Sequence, residues 1–128
     1  MAETSIITLA RRKSLCQITS GAIDTLPEIT KIYLGDGGVG EDGEPIPPSE
    51  TDTALKNKIG EYAIGPIEYP VETTARYTIT VPAVDLVGKK INEAALVDAE
   101  GTLCAIKTMY PKQKDDGVTF TFTFDDEF

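Results

Sequence analysis

A chain of 128 residues, 41% hydrophobic and 26% charged, has the size and composition of one folded domain rather than of a disordered segment. Its formal charge of −9 argues against nucleic acid or an anionic membrane as a partner, because phosphate binding needs clustered Lys and Arg. Histidine is absent, which removes the commonest general base and the commonest zinc ligand together.

Residues 4–20 predict a helix. Thr4 or Ser5 offers an N-cap oxygen, Ile7, Ala10, Leu15 and Ile18 fall near helical spacing, and Gly21 supplies a stop that tolerates a left-handed backbone. Arg11, Arg12 and Lys13 form the one tight basic cluster, a solvated helix face on ordinary grounds and otherwise a docking patch for an acidic partner. The opening places an acidic residue before its apolar stretch and basic residues after it, the reverse of a signal peptide. No apolar run approaches the ~18 residues of a membrane span, so the chain is expected to be made and kept in the cytoplasm unless carried out within a particle.

Residues 29–34 predict a strand, with Ile32 and Leu34 on one face and Ile29 and Tyr33 on the other. Five glycines follow between Gly35 and Gly43. The stretch from Asp36 to Asp52 holds six acidic residues, three prolines and no basic residue, so 35–52 is expected to be an exposed, partly extended excursion. Residues 49–59 predict a short second helix, with Ser49, Thr51 or Asp52 as cap, Leu55 and Ile59 on one face, and Lys56 and Lys58 toward its negative end. The β-rich part runs over 62–124. Tyr77, Ile79 and Val81 alternate with polar residues, as do Val118, Phe120, Phe122 and Phe124, the mark of half-buried antiparallel strands. Residues 91–98 and 103–109 predict a hairpin turning at Ala99-Glu100-Gly101, and 112–117 a polar turn. The expected class is α+β: an N-terminal helix and a short second helix with an antiparallel β-sheet or small β-sandwich, in a single domain over 1–128.

Chemistry is sparse in this pattern. Nucleophilic catalysis lacks an imidazole base, and Glu93 and Asp98, the carboxylates considered for glycoside hydrolysis, read as a strand-end residue and a turn residue. GDGGVG follows a strand as phosphate loops do, but no Lys-Ser or Lys-Thr follows and its acidic flanks repel phosphate. Asp36, Asp42 and Glu44 offer hard oxygens for calcium without the alternating DxDxDG spacing. Cys16 and Cys104 read as two buried free thiols, a disulfide being disfavoured in a reducing cytoplasm. No catalytic residue, cofactor or metal is expected, and the chain reads as a non-enzyme.

Several segments, in order, resemble one family. ITKIYLGDGG at 29–38 is similar to the strand-to-GDGG segment of the phage tail-collar fibre proteins, and ITLARRKSLCQITSGAI before it resembles their opening helix. ALKNKIGEYAI at 54–64 resembles a further segment. KINEAALVDAEGTLCAI at 90–106 resembles the family's Ile-x-Glu-x-Gly-Leu-x-Asp-x-x-Gly-x-Leu element, with Ala95 where the family has Gly, and TFTFTF resembles the closing strand. The likeness spans about 8 to 124. It implies the N-terminal attachment domain of a tail fibre, or a small adaptor, joining fibre to baseplate or collar. It also implies other tail or baseplate proteins as partners, a homo-oligomer, and a final place in the virion or tail particle. Arg11, Arg12, Lys13, Asp36, Glu41 and Asp42 are then the candidate docking residues, with exposed sheet edges and the N-terminal helix as contact elements. The alternative is a carbohydrate-binding or adhesin-type β-sandwich module, with Tyr62, Tyr69 and Tyr110 as its exposed aromatics.

Overall fold

The structure, a computed structural model, describes residues 4–128. Its elements in chain order are β1 (Thr4–Ile7), α1 (Leu9–Thr19), β2 (Ile29–Gly35), β3 (Lys58–Ala63), β4 (Glu68–Val71), β5 (Thr74–Val81), β6 (Lys90–Asp98), β7 (Leu103–Gln113) and β8 (Phe120–Glu127). The strands form two antiparallel sheets, β1-β7-β6-β2-β3 and β4-β5-β8. The class is therefore mostly antiparallel β with one helix, in place of the expected α+β arrangement with two.

The alternating segments supply the core. Tyr77, Ile79, Val81, Phe122 and Phe124 of the small sheet pack on Ile32, Leu34, Ile91, Leu96, Ala105 and Met109 of the large one. Each Val, Leu, Ile, Phe or Met side chain among them contributes about 1.5–3 kcal/mol on leaving water, which makes this sandwich interior the main source of stability. Phe120 begins β8, while Val118 lies outside the strand and is exposed. The outer face of the large sheet carries a second cluster, Ala95, Val97, Leu103 and Ile106, covered by Ile6, Tyr33 and Leu55. The hairpin turns where expected, with Gly101 at φ +86.

Several expectations change. Residues 4–7 are not helical: Thr4 to Ile7 pair with β7, as β-branched Thr and Ile favour, and α1 begins only at Leu9. Thr8 makes the break, in extended backbone at ψ 155. Its fully buried hydroxyl accepts from the Arg11 amide (3.3 Å) and donates to the Leu103 carbonyl (2.7 Å), so it caps the helix and fastens it to β7 at once. Gly21, at φ +83, follows the helix end as expected.

The second helix over 49–59 does not form; the segment bends and enters β3 at Lys58. Ile29 joins the face of Ile32 and Leu34, because the β2–β6 register slips between Ile29 and Lys31. The turn expected over 112–117 is shorter, since β7 continues to Gln113 and Lys114 is buried, its ammonium donating to the carbonyls of Ala83 (2.8 Å) and Asp115 (3.0 Å). Cys104 is a buried free thiol but Cys16 is exposed on α1. Among the described residues no helix is long and apolar enough to cross a membrane.

Candidate functional site

Two segments leave the large sheet, and both carry candidate docking residues. The first runs from Asp36 to Asn57. It departs from β2 and returns to β3 through a shared closure, in which the Asp36 amide donates to the Asn57 carbonyl (3.1 Å) and the Asn57 side chain donates to the Asp36 carboxylate. The closure is organised by Glu93, which is neither at a strand end nor exposed. It sits within β6, 1% exposed, and its carboxylate accepts three backbone N–H groups: Gly37 (2.9 Å), Lys56 (3.0 Å) and Asn57 (2.8 Å). A buried carboxylate is tolerated only when so satisfied, and successive amides such as those of Lys56 and Asn57 form a natural anion nest. Asn92 adds two further bonds, accepting from Gly38 (2.7 Å) and donating to the Asp36 carbonyl (3.2 Å).

This clamp explains the glycines. A Cβ on Gly35 would stand 2.5 Å from the Glu93 carboxylate, and one on Gly38 would stand 2.5 Å from the Asn92 carbonyl. The GDGG run is thus a close-approach surface for Glu93 and Asn92. The excursion is correspondingly less exposed than expected: Gly38 and Pro45 are buried, and Leu55 covers the outer cluster. Its exposed tip keeps Glu41 and Asp42, with the Asp42 carboxylate accepting from the Glu44 amide (3.0 Å). Asp36, Asp42 and Glu44 do not come together as a calcium site; among the described residues no three acidic or thiol side chains are grouped to hold a metal.

The second segment is α1. No side chain of the helix is fully buried, and its N-terminal amide at Leu9 donates to the Glu50 carbonyl (2.7 Å). Arg11 is not free for docking. Its guanidinium meets the buried Asp126 of β8 in a two-pronged pair, 2.8 and 2.7 Å, and lies over the Phe128 ring. Burial works against the Arg11 charge, but the hydrogen bond and charge of Asp126 outweigh it and its pKa is raised. Arg12 pairs at the surface with Glu50 (2.6 Å), and Lys13 is exposed. Of the six candidate docking residues, Arg12, Lys13, Glu41 and Asp42 remain exposed, and Arg11 and Asp36 serve the fold.

Between α1, residues 23–29 and the hairpin turn opens a pocket of about 330 Å³, lined by Ile23, Leu26 and Pro27 and by Arg11, Asp98 and Cys104. Burial, reinforced by the charge of Asp98, pushes the Cys104 thiol up to about 11. A thiol held neutral is a weak nucleophile. Asp98 is the turn residue expected, its carboxylate accepting from the amides of Glu100 (2.9 Å) and Thr102 (3.0 Å). The three tyrosines are dispersed: Tyr62 of β3 donates to Asp85 (3.2 Å), Tyr69 lies on β4 of the other sheet, and Tyr110 of β7 donates to Glu44 (3.0 Å).

Sequence reasoning missed Glu93 as an organising residue, and Asn92, Asp126 and Thr8 with it. One signal was present: Asn92 and Glu93 interrupt an otherwise apolar run from Ile91 to Val97. Compared with protein-family models, with curated proteins and with solved structures, the chain finds no match.

Proposed function

We propose that this chain is a structural protein of a phage or prophage-derived tail, attaching a tail fibre to the baseplate or collar. One observation carries the reading. The two most characteristic segments of the family resemblance, at 29–38 and 90–106, lie far apart in sequence yet form one physical unit. β2 pairs with β6, and the Glu of the second segment, Glu93, holds the amide of Gly37 in the GDGG of the first. The contact joins the two segments on which the resemblance chiefly rests. Ala95, where the family has Gly, is buried opposite Tyr33 and leaves the clamp untouched.

The exposed charges fit docking better than catalysis. Arg12 and Lys13 on one segment and Glu41 and Asp42 on the other are surface groups, which set association rate and partner choice more than fold. The runner-up, a carbohydrate-binding or adhesin module, draws on the sandwich-like sheets and on Tyr69, 68% exposed at the β4 edge.

The genes flanking this one provide the test, followed by titration of the purified chain with the fibre or baseplate protein they encode. Tail genes alongside and saturable binding weakened by Arg12→Glu with Lys13→Glu are expected. Flanking genes unrelated to tails, together with selective hits on a glycan array, replace the reading with the adhesin one.

A further inference from the structure

The two sheets leave four strand edges, and they are not equivalent. The β3 edge is broken by a register shift and crossed by the Lys58–Glu61–Lys31 ion pairs. The β4 edge contains Pro70 and an irregular register, and the described part of β1 pairs over four residues before Thr8 turns the chain into α1. These are the usual ways in which a protein blunts an edge. β8 carries its charges, Asp125, Asp126 and Glu127, only at its C-terminal end, and its first five residues have none of these features. It pairs with β5 through eight consecutive residues without a bulge, contains no Gly, Pro or Lys, and its other side has no strand partner among the described residues. Alongside it the sandwich stands open toward β1, in a groove of about 410 Å³ lined by Ser5, Ile7, Lys107, Thr123, Phe124 and Asp126 among others.

We propose that β8 pairs antiparallel with β8 of a second copy of this chain, about a two-fold axis at Phe122. The sequence of the strand selects this occupant and this direction. Its polar face carries Thr121 and Thr123 and its inner face Phe120, Phe122 and Phe124. An axis at Phe122 sets Thr121 of one copy against Thr123 of the other, repeating the threonine pairing already present between Thr78 and Thr123, and sets Phe120 against Phe124. Asp125, Asp126 and Glu127 all lie at one end of the strand. A parallel pairing stacks these carboxylates on one another, whereas the antiparallel one sends them to opposite ends. The interface is isologous and closes at two copies, and the small sheets of the two copies join into one that runs continuously across the axis.

The pairing deepens the assembly reading and rests on it only for the use the dimer serves. The test needs the purified full chain alone, so its failure leaves the tail reading standing, and an absence of tail genes leaves the dimer standing. Sedimentation equilibrium across a concentration series, in moderate salt to screen the charge of −9 on each copy, is expected to show a species of twice the 13.8 kDa chain mass. The exposed pair T121K/T123K sets lysine against lysine across the axis and weakens the dimer by about tenfold, as T121E/T123E does with glutamate. Mixing the two variants sets lysine against glutamate and restores a dimer. Circular dichroism of each variant checks that it is folded. If either is not, hydrogen exchange of the unaltered chain replaces the pair, with β8 amides expected to slow as concentration rises. A wild-type chain that stays monomeric throughout overturns the proposal and leaves the edge to a foreign strand. A dimer indifferent to both variants, folded variants that fail to pair when mixed, or β8 amides indifferent to concentration overturn it equally.

Discussion

The helix α1 and the excursion over 36–57 reverse the usual association of regular structure with firm attachment. α1 is a regular helix over Leu9–Thr19 yet buries no side chain fully, and it is held to the body chiefly through Thr8 and Arg11. The excursion has only an isolated bridge between Val39 and Pro45, yet its backbone is stitched to the sheet at Gly37, Gly38, Lys56 and Asn57 by Glu93 and Asn92. What fixes a segment is where its polar backbone groups find partners, and a loop that gives them to a buried strand residue becomes part of the core. On the tail reading proposed above, the stitched loop would present its exposed tip rigidly and the helix would offer Arg12 and Lys13.

The largest expected effect comes from breaking the loop's anchor. Glu93→Ala strands three N–H groups at the closure and is expected to cost about 3–5 kcal/mol in urea denaturation. Cutting the helix's anchor is expected to come next. Arg11→Ala leaves Asp126 buried without its cation, at about 3 kcal/mol, whereas Arg11→Met with Asp126→Leu recovers most of that loss, because an apolar pair replaces a buried ion pair at little cost. A smaller effect is confined to alkaline pH. The folded Cys104 thiol, near 11, lies above its ordinary 9.0, so the unfolded chain ionises first and stability falls as pH rises between those values. The loss amounts to about 2–3 kcal/mol by pH 11, and Cys104→Ala, compared with wild type over the same range, is expected to lack it. The smallest effect belongs to the helix surface: Arg12→Ala, which removes only the exposed pair with Glu50, is expected to shift stability by less than about 0.5 kcal/mol.

What the sequence disclosed, and what it hid, divides along the same line. The alternation in β5 and β8, the strand at 29–34 and the Gly101 hairpin were legible because their cues are local: period two and a positive-φ glycine. The segment 49–59 carried equally local helix cues and did not become a helix. Ser49 and Asp52 make cap-like bonds, but they close a turn, the Ser49 amide donating to the Asp52 carboxylate (2.9 Å). The amides of Lys56 and Asn57, which a helix would direct to carbonyls four residues back, are claimed by Glu93, a residue of a distant strand. Thr4 to Ile7 failed in the same way, since pairing with β7 is a long-range contact that periodicity cannot report. At the site, Arg11 was visible as a charge but not as a committed one, because Asp126 stands at the other end of the chain. The GDGG was visible as a loop but not as the seat of a buried carboxylate.

Native-state hydrogen exchange followed residue by residue bears most directly on the contrast between loop and helix. The account predicts that the amides of Gly37, Gly38, Lys56 and Asn57 exchange only near global unfolding, while those at the centre of α1, Lys13 to Gln17, exchange through local opening at much lower free energy. Slow exchange in the helix with fast exchange at those four loop amides would contradict it.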